Sequence, residues 1–380
     1  MKGPVMSTLR ILALVVLFSL GAAIPFRARL HAQGPVTQGS ETVAKPKNSS
    51  ASTAPAPAAA KIPSEYNKKD LPANIPTFHT DALTVSVDVA VLDNKDHFIP
   101  KIPRAVFRIS EDNVPQKVTG YSVGEAPMTI AMVIEFSQRF ESLYGPGWRD
   151  VLNASYGFVQ MSKPDDYIAV IAYDMRSEIL SDFSTNRQDT YEALQRLRIP
   201  GFSEANMFDA VTDTAQRMQD IEGRKAILLL SSGVDTFSKL TFDKTRRAIQ
   251  DAGVPIYAIG MLQALRLVSP RGDSMEFLQA DNQMRTFAKE SGGMAFFPRF
   301  YAELPDIYRT VMEAMRSQYV LSYSPSNQAK DGKFRKIKVE LVNTETNEPL
   351  PIKDEKGKLI KYKIIAKTGY TAPRLSLIHI

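Results

Sequence analysis

The sequence predicts an α/β protein built on a mainly parallel sheet with helices on both faces, flanked in the chain by β-rich segments. The first observation is an apolar run at residues 128–134, broken only by Thr129, which is typical of a strand buried on both faces. The second is a set of further short apolar runs separated by amphipathic stretches, which predicts strand–helix–strand crossovers. The third is the alternation of Val85, Val87 and Val89 with smaller or polar residues, which indicates a half-buried strand.

The amino-terminal part of the chain is predicted to lie outside the folded region. Residues 1–32 resemble a secretory signal peptide, with a positively charged front, an apolar core at residues 11–23, and cleavage after Ala23 or Ala32. The core is shorter than the roughly 20 residues that a membrane span needs, so an anchor is the weaker alternative and no stable span is expected after cleavage. Residues 33–70 are rich in Ala, Pro, Ser and Thr, which predicts a disordered tether.

Two β-rich segments are predicted at residues 71–125 and 319–372, followed by a tail at residues 373–380. The strand candidates in these segments are residues 83–92, 105–111, 116–123, 319–323, 334–342 and 362–366. Each segment alone has too few strands for a stable sandwich. We therefore predict that the two segments pair into one β domain, with the α/β region inserted between them.

The inserted region, residues 126–318, is predicted to form the α/β domain. Its strands are expected at residues 128–134, 167–173, 226–231 and 255–261, and its helices at residues 149–161, 207–221 and 304–315. Residues 262–281 are largely polar and are predicted to form a surface loop.

Composition excludes several classes of protein. The 380 residues include no cysteine, which removes disulfides, thiolate metal sites and cysteine nucleophiles. The four histidines show no metal-ligand spacing, and the sequence offers no Ser-His-Asp arrangement, so we expect a protein that is not an enzyme. A net charge of +6 is modest for this length, and no nucleic-acid partner is expected.

Polar residues follow the central apolar run at the point where the strand is predicted to end: Glu135, Ser137 and Arg139. Ligands of open α/β sheets bind at the carboxyl ends of the strands. A carboxylate and a hydroxyl two residues apart are hard oxygen ligands of the kind that divalent cations prefer. Arg139 argues against a cation site, because it adds a fixed positive charge beside the same carboxylate.

Segments spread from about residue 83 to residue 372 resemble the secreted von Willebrand factor A-related proteins typical of acidobacteria. They are VDVAVLDNKDHFIPKI, FRISEDNVPQKVTGYSV, MTIAMVIEFSQRF, MFDAV, KAILLLSSGVDT, IYAIGM, SQYVLSYSPSNQAKDGKFRKIKVEL and KTGYTAP. The resemblance implies that the α/β region is a Rossmann-like von Willebrand A domain.

The resemblance also implies where a metal site would lie. The von Willebrand A fold commonly carries a metal-ion-dependent adhesion site with an Asp-x-Ser-x-Ser pattern, a threonine in a second loop and an aspartate in a third. These positions fall on Glu135, Ser137, Arg139, Ala205 and Ser232, of which only Ser137 matches. Since Mg²⁺ demands near-octahedral oxygen coordination, we expect no cofactor. The alternative is weak Mg²⁺ or Mn²⁺ binding through Glu135, Ser137 and Ser232.

Arg139 has two interpretations. If its loop curls back, the guanidinium would approach Glu135 and satisfy the carboxylate by charge-assisted hydrogen bonds without a cation. In the other interpretation Arg139 points to solvent.

The other acidic residues near the site have structural interpretations. Asp209 is predicted near the start of a helix, where a carboxylate meets the helix dipole favourably. Asp235, with Thr236, is predicted to cap the helix that follows it.

These observations predict an exported protein, periplasmic or secreted, that acts as a protein-interaction or adhesion-type module with a degenerate, metal-free site. Its protein partner would contact the strand-end surface formed by Glu135, Ser137, Arg139, Ala205 and Ser232. Two alternatives stay open: a ligand-binding protein that depends on Mg²⁺ or Mn²⁺, and a structural component of the cell envelope.

Overall fold

The computed structural model describes residues 83–123, 126–138, 147–197, 202–263, 275–353 and 357–374. The predicted signal peptide and tether, Arg139 and residues 375–380 lie outside the described residues, so the predictions for them stay predictions. In the described part of the chain, no helix has both the length and the apolar character needed to cross a membrane.

The central sheet is organised around the strand that follows Pro127, which is buried along its whole length. The strands of this sheet are β5 (Met128–Glu135), β6 (Tyr167–Tyr173), β7 (Ser177–Ser184), β8 (Arg224–Ser231), β9 (Ile256–Gly260) and β10 (Ala295–Phe296). The sheet order is β10-β9-β8-β5-β6-β7, and every pairing is parallel except that of the edge strand β7 with β6. The predicted mainly parallel sheet is confirmed.

Helices cover both faces of this sheet. They are α1 (Gly147–Met161), α2 (Arg187–Gln195), α3 (Met207–Gln219), α4 (Phe242–Ala252), α5 (Met275–Ser291) and α6 (Leu304–Arg316). Alternate residues of β5 enter different cores: Ile130 and Met132 pack with α1, α2 and α6, whereas Ala131 and Val133 pack with α3, α4 and α5. Each large side chain buried in this way contributes about 1.5–3 kcal/mol. An uninterrupted apolar run is therefore what this central strand requires.

The prediction of a loop across residues 262–281 is wrong at its carboxyl end, because α5 begins at Met275. The polar residues from Met275 onward suggest a loop, but they belong to the first turns of α5, which expose most of their side chains. Ala280 is the first buried residue of α5 in the hydrophobic core, and Met284, Phe287 and Ala288 follow it there. Residues 264–274 lie outside the described residues.

The two flanking segments pair with each other. Their strands are β1 (Val85–Asp93), β2 (Phe107–Glu111), β3 (Val114–Gln116), β4 (Val118–Val123), β11 (Tyr319–Tyr323), β12 (Phe334–Leu341), β15 (Tyr362–Ala366) and β16 (Gly369–Thr371), with a small hairpin of β13 (Ile352–Lys353) and β14 (Leu359–Ile360). One sheet has the order β15-β1-β11-β4 and a second has the order β16-β12-β2-β3, so each contains strands from both segments. Side chains from both sheets share one core, which confirms the predicted pairing of the flanks. We call this part the β module.

Strand β1 joins the β module to the α/β region. Val85, Val87 and Val89 lie in the core of the β module, while Ala90 and Leu92 belong to the core beneath the central sheet. Because successive side chains of a strand point to opposite faces, one strand serves both cores. The chain therefore folds with its two parts packed together through β1.

Candidate functional site

Polar side chains meet at the carboxyl ends of three neighbouring strands. Glu135 ends β5, Tyr173 ends β6 and Ser231 ends β8. Since β6 and β8 both pair with β5 in parallel, the three residues lie side by side at one edge of the sheet. This edge is where open α/β sheets place their ligands.

The Glu135 carboxylate is enclosed by four hydrogen-bond donors. One oxygen, Oε1, accepts from the Ser137 hydroxyl at 3.0 Å. The other, Oε2, accepts from the Ser231 hydroxyl at 3.0 Å, the Ser232 backbone N–H at 2.7 Å and the Ser232 hydroxyl at 2.8 Å. The Tyr173 hydroxyl completes the group by donating to Ser231 Oγ at 2.7 Å. We call these five residues the Glu135 cage.

Burial dominates the electrostatics of the Glu135 cage. It raises the pKa of Glu135, against the lowering effect of the hydrogen bonds from Ser232, Ser231 and Ser137. The pKa of Tyr173 is raised well above its usual value by burial and by the negative charge of Glu135. Tyr173 is therefore a hydrogen-bond donor to the cage throughout the physiological pH range.

Three loops at this edge are tied to one another by hydrogen bonds that involve their backbone groups. The N–H of Ala205 donates to Thr236 Oγ1 at 2.9 Å, and the carbonyl of Ala205 accepts from the N–H groups of Thr236 at 2.8 Å and Phe237 at 3.0 Å. The N–H of Gln138 donates to the carbonyl of Phe202 at 2.7 Å. The loops that follow β5 and β8 are therefore both fixed to the loop that precedes α3.

Asp235, in the loop after β8, and Asp209, in the first turn of α3, both accept hydrogen bonds from backbone N–H groups. Asp235 Oδ1 accepts from the N–H of Phe208, in the first turn of α3, at 3.1 Å, so the prediction that it caps the following helix is wrong. Asp209 accepts from the N–H groups of Lys239 at 2.9 Å and Leu240 at 3.0 Å. Burial raises the pKa of Asp235. Both carboxylates hold α3 and the loop after β8 together.

The structure brings together the residues named as possible metal ligands, since Glu135, Ser137 and Ser232 contact one another directly. It does not present them as a surface. Glu135, Ser137, Ala205 and Ser232 are 1%, 0%, 3% and 2% exposed, so the prediction that their side chains form a partner-binding surface is wrong for these four. Arg139 is not among the described residues. Exposed residues of the surrounding loops include Gln138, Ser203, Glu204, Thr236 and Phe237, and we call these five residues the loop rim.

Sequence reasoning misses two members of the Glu135 cage, Tyr173 and Ser231. Both are the last residues of predicted strands, YIAVIAY and AILLLS, and both are polar. The available signal is that parallel neighbours of the central strand end at the same edge of the sheet. Their contact with each other follows from strand order, which a single sequence does not specify.

Comparison with known proteins agrees with this architecture. Residues 130–310 match the family described as von Willebrand factor type A domain. No curated protein matches the sequence.

Similar solved structures have low identity. Proximal thread matrix protein 1 from the mussel byssus is 17% identical, with 54% of this chain and 51% of that chain covered and a TM-score of 0.40. The vWF domain of the type V pili tip protein Mfa5 from Porphyromonas gingivalis is 14% identical, with 50% and 97% covered and a TM-score of 0.39. A von Willebrand factor type A structure from Catenulispora acidiphila is 13% identical, with 77% and 75% covered and a TM-score of 0.41. The chain spans about half the length of the mussel protein.

The family match and the architecture concern the same part of the chain. The matched residues run from the central strand β5 into the last helix, α6, and include the mainly parallel sheet and the helices on both of its faces. Residues 130–310 therefore form a von Willebrand factor type A domain.

Proposed function

We propose that this chain is a non-enzymatic protein-interaction module that binds a protein partner through the loop rim, without a metal ion. The observation that carries the proposal is the closed Glu135 cage beneath exposed loops. The carboxylate at the centre of this edge of the sheet is turned inward and surrounded by donors. It offers neither an open coordination position nor a base that a substrate reaches. The groups that a partner meets are those of the loop rim.

The donor set at this edge fits a divalent cation poorly. Mg²⁺ takes oxygen ligands in near-octahedral geometry and is normally held by one or two carboxylates with waters. The only carboxylate in the Glu135 cage already accepts four hydrogen bonds from Ser137, Ser231 and Ser232. A cation would have to displace those donors, and its protein ligands would then be one carboxylate and uncharged serine hydroxyls. The proposed binding mode therefore involves no cation.

Calorimetric titration of the purified protein with Mg²⁺ and with Mn²⁺ tests this part of the proposal. We expect no saturable binding at concentrations up to about a millimolar, the weak end of natural divalent-cation sites. Ser137→Ala is the matched variant, because it removes one of the possible ligands. Micromolar binding in the natural protein that is lost in Ser137→Ala would establish the metal-dependent alternative instead.

Phe237 is the residue of the loop rim best suited to anchor a partner. Its side chain is 51% exposed. Its backbone N–H is fixed by the carbonyl of Ala205. Aromatic residues that are already held in place make large contributions to interfaces, because little conformational freedom is lost on binding.

We expect Phe237→Ala to weaken partner capture at least about tenfold, because interface aromatics commonly contribute about 2 kcal/mol or more. Its effect on the free energy of unfolding should stay within about 0.5 kcal/mol, since the side chain is exposed. The measurement is quantitative pull-down from an envelope extract, with and without a chelator. Leu359→Ala is the matched control, because Leu359 is 64% exposed and lies in the β module. Equal losses in both variants, or capture abolished by the chelator, would contradict the proposal.

We further propose that the protein acts outside the cytoplasm, on the strength of the signal-peptide pattern in residues 1–32. Processing should leave a new amino terminus after Ala23 or Ala32. Intact-mass measurement of the protein from its native source checks this directly. A retained Met1 in a membrane fraction would identify the segment as an anchor.

A further inference from the structure

A second candidate site lies at the opposite edge of the central sheet, where the α/β region meets the β module. A cavity of about 680 Å³ opens between strands of the β module and the residues that precede β8 and β9. This volume is within the range of small-molecule sites. The cavity contains charged side chains from both parts of the chain: Asp88, Arg224, Lys225, Asp251 and Lys367.

Two of the cations are already satisfied. Arg224 donates to the backbone carbonyls of Arg316 at 2.6 Å and Gln318 at 3.1 Å. Lys225 donates to the carbonyls of Gln219 at 2.5 Å and Ile221 at 3.0 Å. These carbonyls lie at or just beyond the carboxyl ends of α6 and α3, where the helix dipole favours positive charge.

Asp251 is also satisfied, since its carboxylate accepts a hydrogen bond from the hydroxyl of Thr371. The two remaining charges of the cavity, Asp88 and Lys367, differ from the others. Within the part of the chain that the structure describes, neither the Asp88 carboxylate nor the Lys367 ammonium group takes part in a hydrogen bond or a close ion pair. Both side chains are half-buried, and charges that are partly withdrawn from water ordinarily gain such partners. Burial raises the pKa of Asp88, against the lowering effect of the positive charges of Lys367, Arg224 and Lys225. Burial lowers the pKa of Lys367, against the raising effect of the negative charge of Asp88.

The backbones that carry these two groups are fixed. Asp88 lies in the middle of β1, where it is paired with Val320 of β11. Lys367 precedes Thr368, whose N–H donates to the carbonyl of Glu290 at 3.2 Å. Gly292 adopts a φ of +86° beside Lys367, and a Cβ at this glycine would lie 2.6 Å from the backbone nitrogen of Lys367. Hydrogen bonds thus fix the backbone on each side of the cavity that carries one of the two opposite charges.

We propose that the cavity binds a small zwitterion, whose ammonium group pairs with Asp88 and whose carboxylate pairs with Lys367. An anion alone would satisfy Lys367 and be repelled by Asp88, and a cation alone would do the reverse. A ligand that carries both charges completes two charge-assisted hydrogen bonds at once. Apolar groups of Ala252, Pro255 and Val320 also line the cavity and suit a hydrocarbon segment between the two charges.

Calorimetry with a series of linear amino acids tests this proposal: glycine, β-alanine, γ-aminobutyrate and ε-aminocaproate, which place the two charges progressively farther apart. Hexanoate and hexylamine are the matched controls that keep one charge each. We expect saturable binding of at least one amino acid by the whole protein, and binding at least about tenfold weaker for each control, as the loss of a charge-assisted pair implies. If no member of the series binds, or if hexanoate binds as tightly as the amino acids, the proposal is wrong.

Two variants assign the charges. Lys367→Met and Asp88→Asn should each weaken binding of the preferred amino acid at least about tenfold, whereas Lys363→Met, on the exposed surface of the same strand region, should not. Asp88→Asn should also bind hexanoate more tightly than the natural protein does, because the repelling carboxylate is gone. That gain cannot come from an unfolded variant. If Asp88→Asn shows no gain in hexanoate affinity and binds the amino acid as tightly as the natural protein does, Asp88 does not contact the ligand.

Discussion

Replacing Asp166 by alanine is expected to lower the free energy of unfolding by about 3–5 kcal/mol, the usual cost of removing one partner from a buried ion pair. Asp166 is fully buried, and its partner Arg316 is 11% exposed. The pair joins the turn before β6 to the carboxyl end of α6, which are far apart in the chain.

The same carboxylate also holds backbone. Asp166 Oδ1 accepts from the N–H of Met128 at 3.0 Å, at the start of β5, and Oδ2 accepts from the N–H of Lys163 at 2.7 Å as well as from Arg316. Alanine would leave both N–H groups and a buried guanidinium without this acceptor. Each unsatisfied buried group adds to the cost.

Chemical denaturation of the variant and the natural protein measures the effect. The matched control is Asp182→Ala, because Asp182 forms an ion pair with Arg217 at 2.6 Å in which the two side chains are 41% and 35% exposed. We expect that control to lose about 1 kcal/mol or less, since solvent screens exposed pairs. Similar losses at the two positions would show that Asp166 contributes no more than a surface charge.

The sequence predicts the fold best where one physical requirement dominates. The apolar run of β5 predicts burial on both faces of the strand, as the structure shows. The Asp112-Asn113 turn suits the hairpin of β2 and β3, because both residues adopt positive φ, at 47° and 69°. Strand β7 and helices α2 and α4 are not predicted, because β7 is an edge strand with a partly exposed polar face and the two helices are short and polar. Their positions are decided by packing against the sheet rather than by local pattern.

For the candidate site, the sequence predicts which residues meet but not how deeply they are buried. Resemblance places Glu135, Ser137 and Ser232 at one strand edge, and the structure brings them together. Their burial could not be predicted, because it depends on how the loops around Ala205 and Thr236 close over them. The two charges of the second cavity are equally hidden in the sequence, since Asp88 and Lys367 are separated by nearly the whole folded chain.

Replacing Glu135 by alanine is expected to lower the free energy of unfolding by about 3 kcal/mol or more. The change removes the acceptor that the Ser231 hydroxyl, the Ser232 hydroxyl and the Ser232 backbone N–H share in a buried site, and each buried donor that loses its acceptor costs about 1–3 kcal/mol. Glu135→Gln should lose only about 1 kcal/mol, because the amide oxygen accepts from Ser231 and Ser232 while the amide nitrogen donates to a reoriented Ser137 hydroxyl. A loss in the glutamine variant as large as in alanine would show that the negative charge itself is required.

The pH dependence of the same pair of proteins shows whether a positive group faces the carboxylate. Burial raises the pKa of Glu135 in the folded state, so folded protein holds this proton more tightly than unfolded protein does. The stability of the natural protein relative to Glu135→Gln should therefore be greatest at low pH and should fall as pH rises through the folded-state pKa. Denaturation of both proteins at intervals from about pH 4 to about pH 8 measures this difference. A difference that grows with pH would mean that the carboxylate has gained a positive partner, the role that the sequence offers to Arg139 or to a divalent cation.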